Sequence, residues 1–137
     1  MSPFISIVIP FYGTADPVLL QRCLYSIRQQ GMEEGSYEII VADDNGKGLG
    51  GARNQGIRQA TGTYLMFVDA DDYLFQNLSY CFSYLLKYTP DICSFQMCEV
   101  NRAGVIPRSF NYKWEVYGSG AEYMSKNNFM GTASVSY

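Results

Sequence analysis

The stretch TYLMFVDADDYL, residues 63–74, decides how the rest of the chain is read. Five apolar residues, Tyr64 to Val68, run directly into three carboxylates, Asp69, Asp71 and Asp72. The run is short and rich in strand-forming residues, so it predicts a strand buried on both faces, placed centrally in a parallel sheet. Open α/β sheets bind ligands beyond the carboxyl ends of their strands, which puts Asp69 and Asp71 where a ligand would sit. Three acids at one strand tip repel each other, and a hard cation such as Mg²⁺ or Mn²⁺ relieves that repulsion. A solvated acidic turn capping the next helix would use the same residues, so the neighbouring segments have to discriminate.

Working outward, FISIVIP (residues 4–10) and YEIIVA (residues 37–42) predict two more short buried strands. Asp16-Pro17 opens the helix between them, with Asp as N-cap and Pro in the first turn. Leu20, Cys23, Leu24 and Ile27 recur at helical spacing, and Gly31 is placed to end the helix. This is a β-α-β unit, hence two parallel strands with a right-handed crossover. The second strand also ends in acids, Asp43 and Asp44. A glycine-rich turn over residues 46–51 leads into a short helix, residues 52–60, in which Ala52, Gly56 and Ala60 allow a close approach to the sheet.

The second half is less regular. Leu78, Cys81, Phe82 and Leu85 mark an amphipathic helix stopped by Pro90. Residues 91–100 predict a strand, residues 101–104 a turn, and residues 105–110 the partner strand of an antiparallel hairpin. Ser119 and Glu122 form a capping box for a last helix reaching about Asn127, after which no closing element is evident.

Composition narrows the function classes. The 137 residues are 47% hydrophobic and 17% charged, which fits one ordered domain. A net charge of −3 without a basic stripe excludes a nucleic-acid binder. The absence of histidine excludes His-based zinc sites, triads and general bases. Cys23, Cys81, Cys93 and Cys98 lack ligand-like spacing and read as buried free thiols. No segment resembles a membrane span or a signal peptide, so a cytoplasmic location is the expectation, with room left for peripheral membrane association.

Three site readings compete for the acids. Gly46, Gly48 and Gly51 spell G-x-G-x-x-G, the fingerprint of a dinucleotide-binding oxidoreductase. Against this, Asp43 and Asp44 stand where a pyrophosphate would approach the helix, and the glycines follow the second strand, not the first. Asp69-Ala70-Asp71 also resembles the D-x-D of haloacid-dehalogenase phosphatases, but no later acidic pair completes that set.

The third reading uses four segments in order: SIVIPFYG (6–13), EIIVADDN (38–45), GLGGARNQGI (48–57) and ATGTYLMFVDADDYL (60–74). Together they resemble family 2 glycosyltransferases of the GT-A fold, over residues 4 to about 100. The resemblance implies a three-layer α/β/α, mostly parallel sheet forming the nucleotide-sugar-binding half of the family's catalytic domain. It implies that Pro10, Tyr12, Asp43 and Asp44 hold the base of a nucleotide-diphospho-sugar, a UDP-sugar above all. Asp69 would lie near the ribose, Asp71 on a Mn²⁺ or Mg²⁺ ion, and Arg53 would face the same cleft. The implied activity is sugar transfer, with inversion, to a polysaccharide or lipid-linked acceptor in cell-wall or polysaccharide synthesis. A non-catalytic nucleotide-sugar binding module is the alternative.

Two departures from the family pattern stand out. A helix and a strand that should separate the second strand's acids from the ARN helix are missing, roughly 25 residues by average element and loop lengths. Their loss would leave the strand at residues 38–43 as an open edge, which is either an aggregation liability or a homo-oligomer interface. The chain also stops short of the acceptor-binding half, and Glu99, Glu115 and Glu122 each read as structural, so no catalytic base is assigned.

Overall fold

The computed structural model describes residues 2–75 and 78–94, and the backbone of short strands at 100–101, 104–105 and 135–136. Its centre is β1 (Ile5–Pro10), every residue of which is buried. β2 (Tyr37–Ala42) and β3 (Tyr64–Phe67) pair with β1 on either side, both parallel, in the order β2-β1-β3. Among the described residues the strand expected at the middle of the sheet pairs on one side only, with β1. Only Met66 of β3 is buried, whereas Ile7, Val8 and Ile9 of β1 are sealed completely. Both runs are apolar, and a run of that kind does not report how many neighbours its strand has.

Helices cover both faces. α1 (Pro17–Arg28) and α3 (Leu78–Tyr88) lie on one, where Leu20, Cys23, Leu24, Ile27, Phe82 and Leu85 pack with Ile5, Ile7, Ile9 and Met66. α2 (Gly48–Gln59) lies on the other, over Val8, Ile40 and Ala42. The result is the expected α/β/α layering. Asp16 caps α1 by accepting the Val18 N–H at 2.8 Å, and Gly31 turns the chain away at φ +67°. α2 begins four residues earlier than expected, because Gly48, Gly50 and Gly51 enter its first turn instead of forming a loop before it.

Side-chain hydrogen bonds lock the amino-terminal edge of the sheet. Glu38 accepts from Ser6 Oγ at 2.5 Å, Thr61 N at 2.7 Å and Thr61 Oγ1 at 3.0 Å, while Gly62 N donates to Ser6 Oγ at 2.8 Å. Burial pushes the Glu38 carboxyl up, but the hydrogen bonds from Ser6, Thr61 and Gly62 outweigh it and hold the group below its ordinary value. Gly62 is required there: a Cβ would stand 2.6 Å from Ser6 N.

After α3, Thr89 adopts φ +42° just before Pro90. β4 (Cys93–Ser94) then pairs antiparallel with β7 (Val135–Ser136), so a closing strand exists that the sequence reading did not find. β5 (Val100–Asn101) and β6 (Gly104–Val105) form the expected antiparallel hairpin. The helix expected from Ser119 to Asn127 lies outside the described residues, as does Cys98. Cys23, Cys81 and Cys93 are free thiols.

β2 is an open edge of the sheet among the described residues. The Phe4 and Ile5 N–H groups donate to Ser36 C=O, and the Phe11 N–H to Ala42 C=O, so the even-numbered residues turn their main chain towards β1. By the alternation of a strand, Tyr37, Ile39 and Val41 direct theirs outward. The edge carries no Lys, Pro or bulge, and the one charge, Glu38, is tied inward. Val41→Lys, at a side chain already 43% exposed, is expected to reduce self-association in sedimentation velocity while leaving the melting temperature unchanged. Unaltered sedimentation would show that this edge is not what the chain associates through.

Candidate nucleotide-sugar site

Because both pairings of β1 are parallel, the three strands deliver their carboxyl ends to one edge. Pro10 stands opposite Ala42, and Val68 N–H continues the ladder to Val8 C=O at 3.0 Å. Tyr12, Asp43, Asp44, Asp69 and Asp71 all follow these strand ends, as the sequence reading expects. Pro10 itself is buried as the last residue of β1, so it sets the chain's exit towards the half-buried Tyr12.

The two acids after β2 do different things. Asp43 is exposed and accepts the Asn45 N–H at 2.7 Å. Asp44 accepts from Gly46 N at 3.0 Å and from Gly48 N at 2.8 Å, the first residue of α2. These backbone donors hold the Asp44 carboxyl below its ordinary range. Asn45, Gly46 and Gly48 take φ of +50°, +77° and +69° to make the turn, which explains the glycines without a dinucleotide. The α2 N-terminus that a pyrophosphate would need is already receiving a carboxylate.

Asp69 is gripped from both layers. From α2, Arg53 Nη2 donates to its Oδ1 at 3.2 Å, both side chains being about one-third exposed, at 36% and 39%. From α1, the Cys23 thiol approaches its backbone carbonyl at 3.7 Å. Burial, followed by the charge of Asp72, pushes that thiol up to about 11. Arg53 stacks over Phe67, with 5.7 Å from Cζ to the ring centre, and its buried Nε has no hydrogen-bond partner among the described residues. A buried donor without an acceptor is uncommon, and here it lies beside a strand-end acid.

Asp71 is held by its backbone: Arg22 Nη2 donates to its carbonyl at 2.6 Å, and the Arg22 guanidinium lies 4.8 Å from the Tyr73 ring centre. The mutual repulsion of the three acids is present. Burial first, then Asp71 and Asp69, raise the Asp72 carboxyl, with Arg22 opposing. No group of three potential metal ligands occurs among the described residues. A cation at this edge would have to draw most of its oxygen ligands from outside the described residues.

The sequence reading missed the α1 residues that hold this loop. Ser26 Oγ accepts the Leu74 N–H at 2.9 Å, and the buried Gln30 accepts the Leu78 N–H at 3.0 Å while donating to Ser26 C=O at 2.9 Å. The available signal was one polar residue, Ser26, on the apolar side of α1, and a second, Gln30, in the turn just after it.

An α/β sheet with a charged cluster at its carboxyl edge carries that cluster where open sheets of this class bind ligands. Residues 6–47 and 45–129 match the model for glycosyl transferase family 2, and the chain belongs to that family. A poly(ribitol-phosphate) beta-glucosyltransferase of Bacillus spizizenii is 36% identical over 97 residues, covering 51% of this chain and 15% of the relative. A PGL/p-HBAD biosynthesis glycosyltransferase of Mycobacterium bovis is 27% identical over 139, covering 82% and 51%. Among solved structures, S. aureus TarS superposes with a TM-score of 0.62 at 22% identity, over 77% of this chain and 23% of that one. A 1–349 form of TarS in complex with UDP gives 0.58 at 20%, over 77% and 38%. These neighbours confirm the GT-A type of α/β fold. The chain spans about half or less of the length of these curated relatives.

The alignments also locate the missing unit. The 97-position alignment takes in 51% of 137 residues, about 70, so about 27 positions have no counterpart here. The 139-position alignment takes in 82%, about 112, and again leaves about 27. The family match breaks at residues 45–47, directly after β2. The size of that difference and the place of this break agree with the helix-strand unit expected there.

Proposed function

We propose that this chain is the donor-binding part of a glycosyltransferase that moves a sugar from a nucleotide-diphospho-sugar, a UDP-sugar, to a saccharide or lipid-linked acceptor. The observation that carries this is the Arg53–Asp69 pair, at the edge where three parallel strands end, in a family 2 chain. The TarS complexes with UDP and with UDP-GlcNAc support a uridine donor. The poly(ribitol-phosphate) relative supports a cell-wall polymer as acceptor class. In this reading Tyr12 and Asp43 receive the base and Asp69 the ribose. Arg53 supplies fixed donors, and Asp71 carries the Mn²⁺ or Mg²⁺ ion. Bound there, the cation would neutralise charge on the departing nucleoside diphosphate. Inversion and a cytoplasmic location complete the proposal, on family grounds.

Calorimetric titration of UDP, with and without Mn²⁺, tests it. Binding is expected to need the metal and to be lost in Asp71→Ala, at least about tenfold. Metal-independent binding, or binding unchanged by the substitution, would sink the assignment. Failure with UDP but success with GDP or dTDP would change only the base. The second reading is a module that binds a nucleotide-sugar without transferring it. Release of free sugar from a donor that binds separates the two.

A further inference from the structure

We infer that Arg22 is a positioning residue of the donor site: it fixes the loop that carries Asp69 and Asp71 by its backbone, so that their carboxylates are left for ligand. The inference rests on the donor-site reading above.

The hydrogen bonds that α1 and Gln30 make with this loop engage its main chain. Arg22 reaches Asp71 C=O, Cys23 reaches Asp69 C=O, Ser26 accepts from Leu74 N, and Gln30 takes Leu78 N while lying 3.5 Å from Leu74 C=O. Arg22 and Ser26 stand four residues apart on one face of α1, and Gln30 follows in the turn just past its end, so the rail continues along one side. The loop adds a turn of its own, from Asp72 N–H to Asp69 C=O at 3.0 Å. An arginine beside three acids would ordinarily pair with a carboxylate, the strongest partner available. This one donates to a carbonyl and stacks on Tyr73. The carboxylate of Asp71 thus enters no hydrogen bond with a described residue.

Burial separates the members of the rail. Ser26 and Gln30 are buried, only 9% and 5% exposed, so they serve folding as well. Arg22 is exposed, and the fold gains little from a surface contact of this kind. Its charge and its hydrogen bond pull in opposite directions. Removing the charge favours a bound cation, whereas removing the hydrogen bond frees the loop that presents it.

Arg22→Met keeps the stem and removes both, and Arg22→Lys restores the charge and one donor. The expected result for Arg22→Met is an unchanged melting temperature and Mn²⁺-dependent UDP affinity weakened about tenfold, with Arg22→Lys intermediate. Amide exchange over residues 69–75 in the metal-free chain is expected to accelerate up to about tenfold. Unchanged exchange in Arg22→Met, or tighter metal-dependent binding, overturns the inference. A parallel fall in melting temperature also does so, by making Arg22 a structural residue. If the unsubstituted chain fails to bind UDP with metal, the donor reading falls, and the exchange measurement still decides whether Arg22 fixes the loop.

Discussion

Gly56→Ala is expected to destabilise the chain by about 1–3 kcal/mol, and Gly56→Leu to leave it unfolded. The sign is the informative part, since alanine inside a helix ordinarily gains about 1 kcal/mol over glycine. At Gly56 an added Cβ would lie 2.2 Å from Val8 Cγ1 and 3.0 Å from Cγ2. Val8 is fully buried on the central strand, paired on both sides, and its short branched side chain has no room to retreat. The helix must move instead, and Arg53 on α2 moves with it. Gly50→Ala supplies the opposite case in the same helix: nothing lies within 4 Å of its Cβ position, and its φ is not positive. That change should stabilise by up to about 1 kcal/mol. Urea titration reads both. Val8→Ala should recover part of the loss when combined with Gly56→Ala, a coupling that two independent sites would not show. A stabilising Gly56→Ala would mean that α2 does not rest on β1 as described.

The layers of the fold were legible because their signals are local. Ile5 to Pro10 and Tyr37 to Ala42 announce strands by composition, Asp16-Pro17 announces a helix start, and Leu78, Phe82 and Leu85 announce an amphipathic face. Gly56 could be read as a close-packing position since only α2's small residues suit it. What escaped depends on partners distant in sequence. β3 looked central because an apolar run records burial, not neighbours, and the closing strand β7 is two residues of no special composition. Glu38 joins Ser6, Thr61 and Gly62 across three segments, a knot with no pattern in any one of them. At the site, the acids and Arg53 were legible as types, while the pairing of Arg53 with Asp69 follows from where α2 lands. Arg22 was invisible because it reads a carbonyl, and every residue has one. Asp44 was read as a ligand for the base, yet its carboxylate is engaged with the start of α2, which leaves Asp43 as the freer acid.

Arg53→Met should weaken Mn²⁺-dependent UDP binding by at least about tenfold while leaving stability unchanged or slightly improved. The two directions follow from the same geometry. In the ligand-free chain Arg53 offers one hydrogen bond to a half-exposed carboxylate, an interaction worth about 0–1 kcal/mol. Against that stands its buried Nε without an acceptor among the described residues, a penalty on the order of 1–3 kcal/mol. Methionine keeps the contact with Phe67 and removes the orphaned donor. An arginine that costs the empty fold as much as it returns is consistent with one whose acceptor arrives from outside, and a nucleotide-sugar carries such acceptors on its ribose and phosphates. Lysine should not substitute, because a single ammonium cannot present Nε and Nη donors together in a fixed plane. Thermal melts and UDP titrations of the methionine and lysine variants separate the possibilities. Loss of stability and binding together would make Arg53 a structural strut for β3. Retained stability with lost binding, in both variants, is what the donor-site reading requires of it.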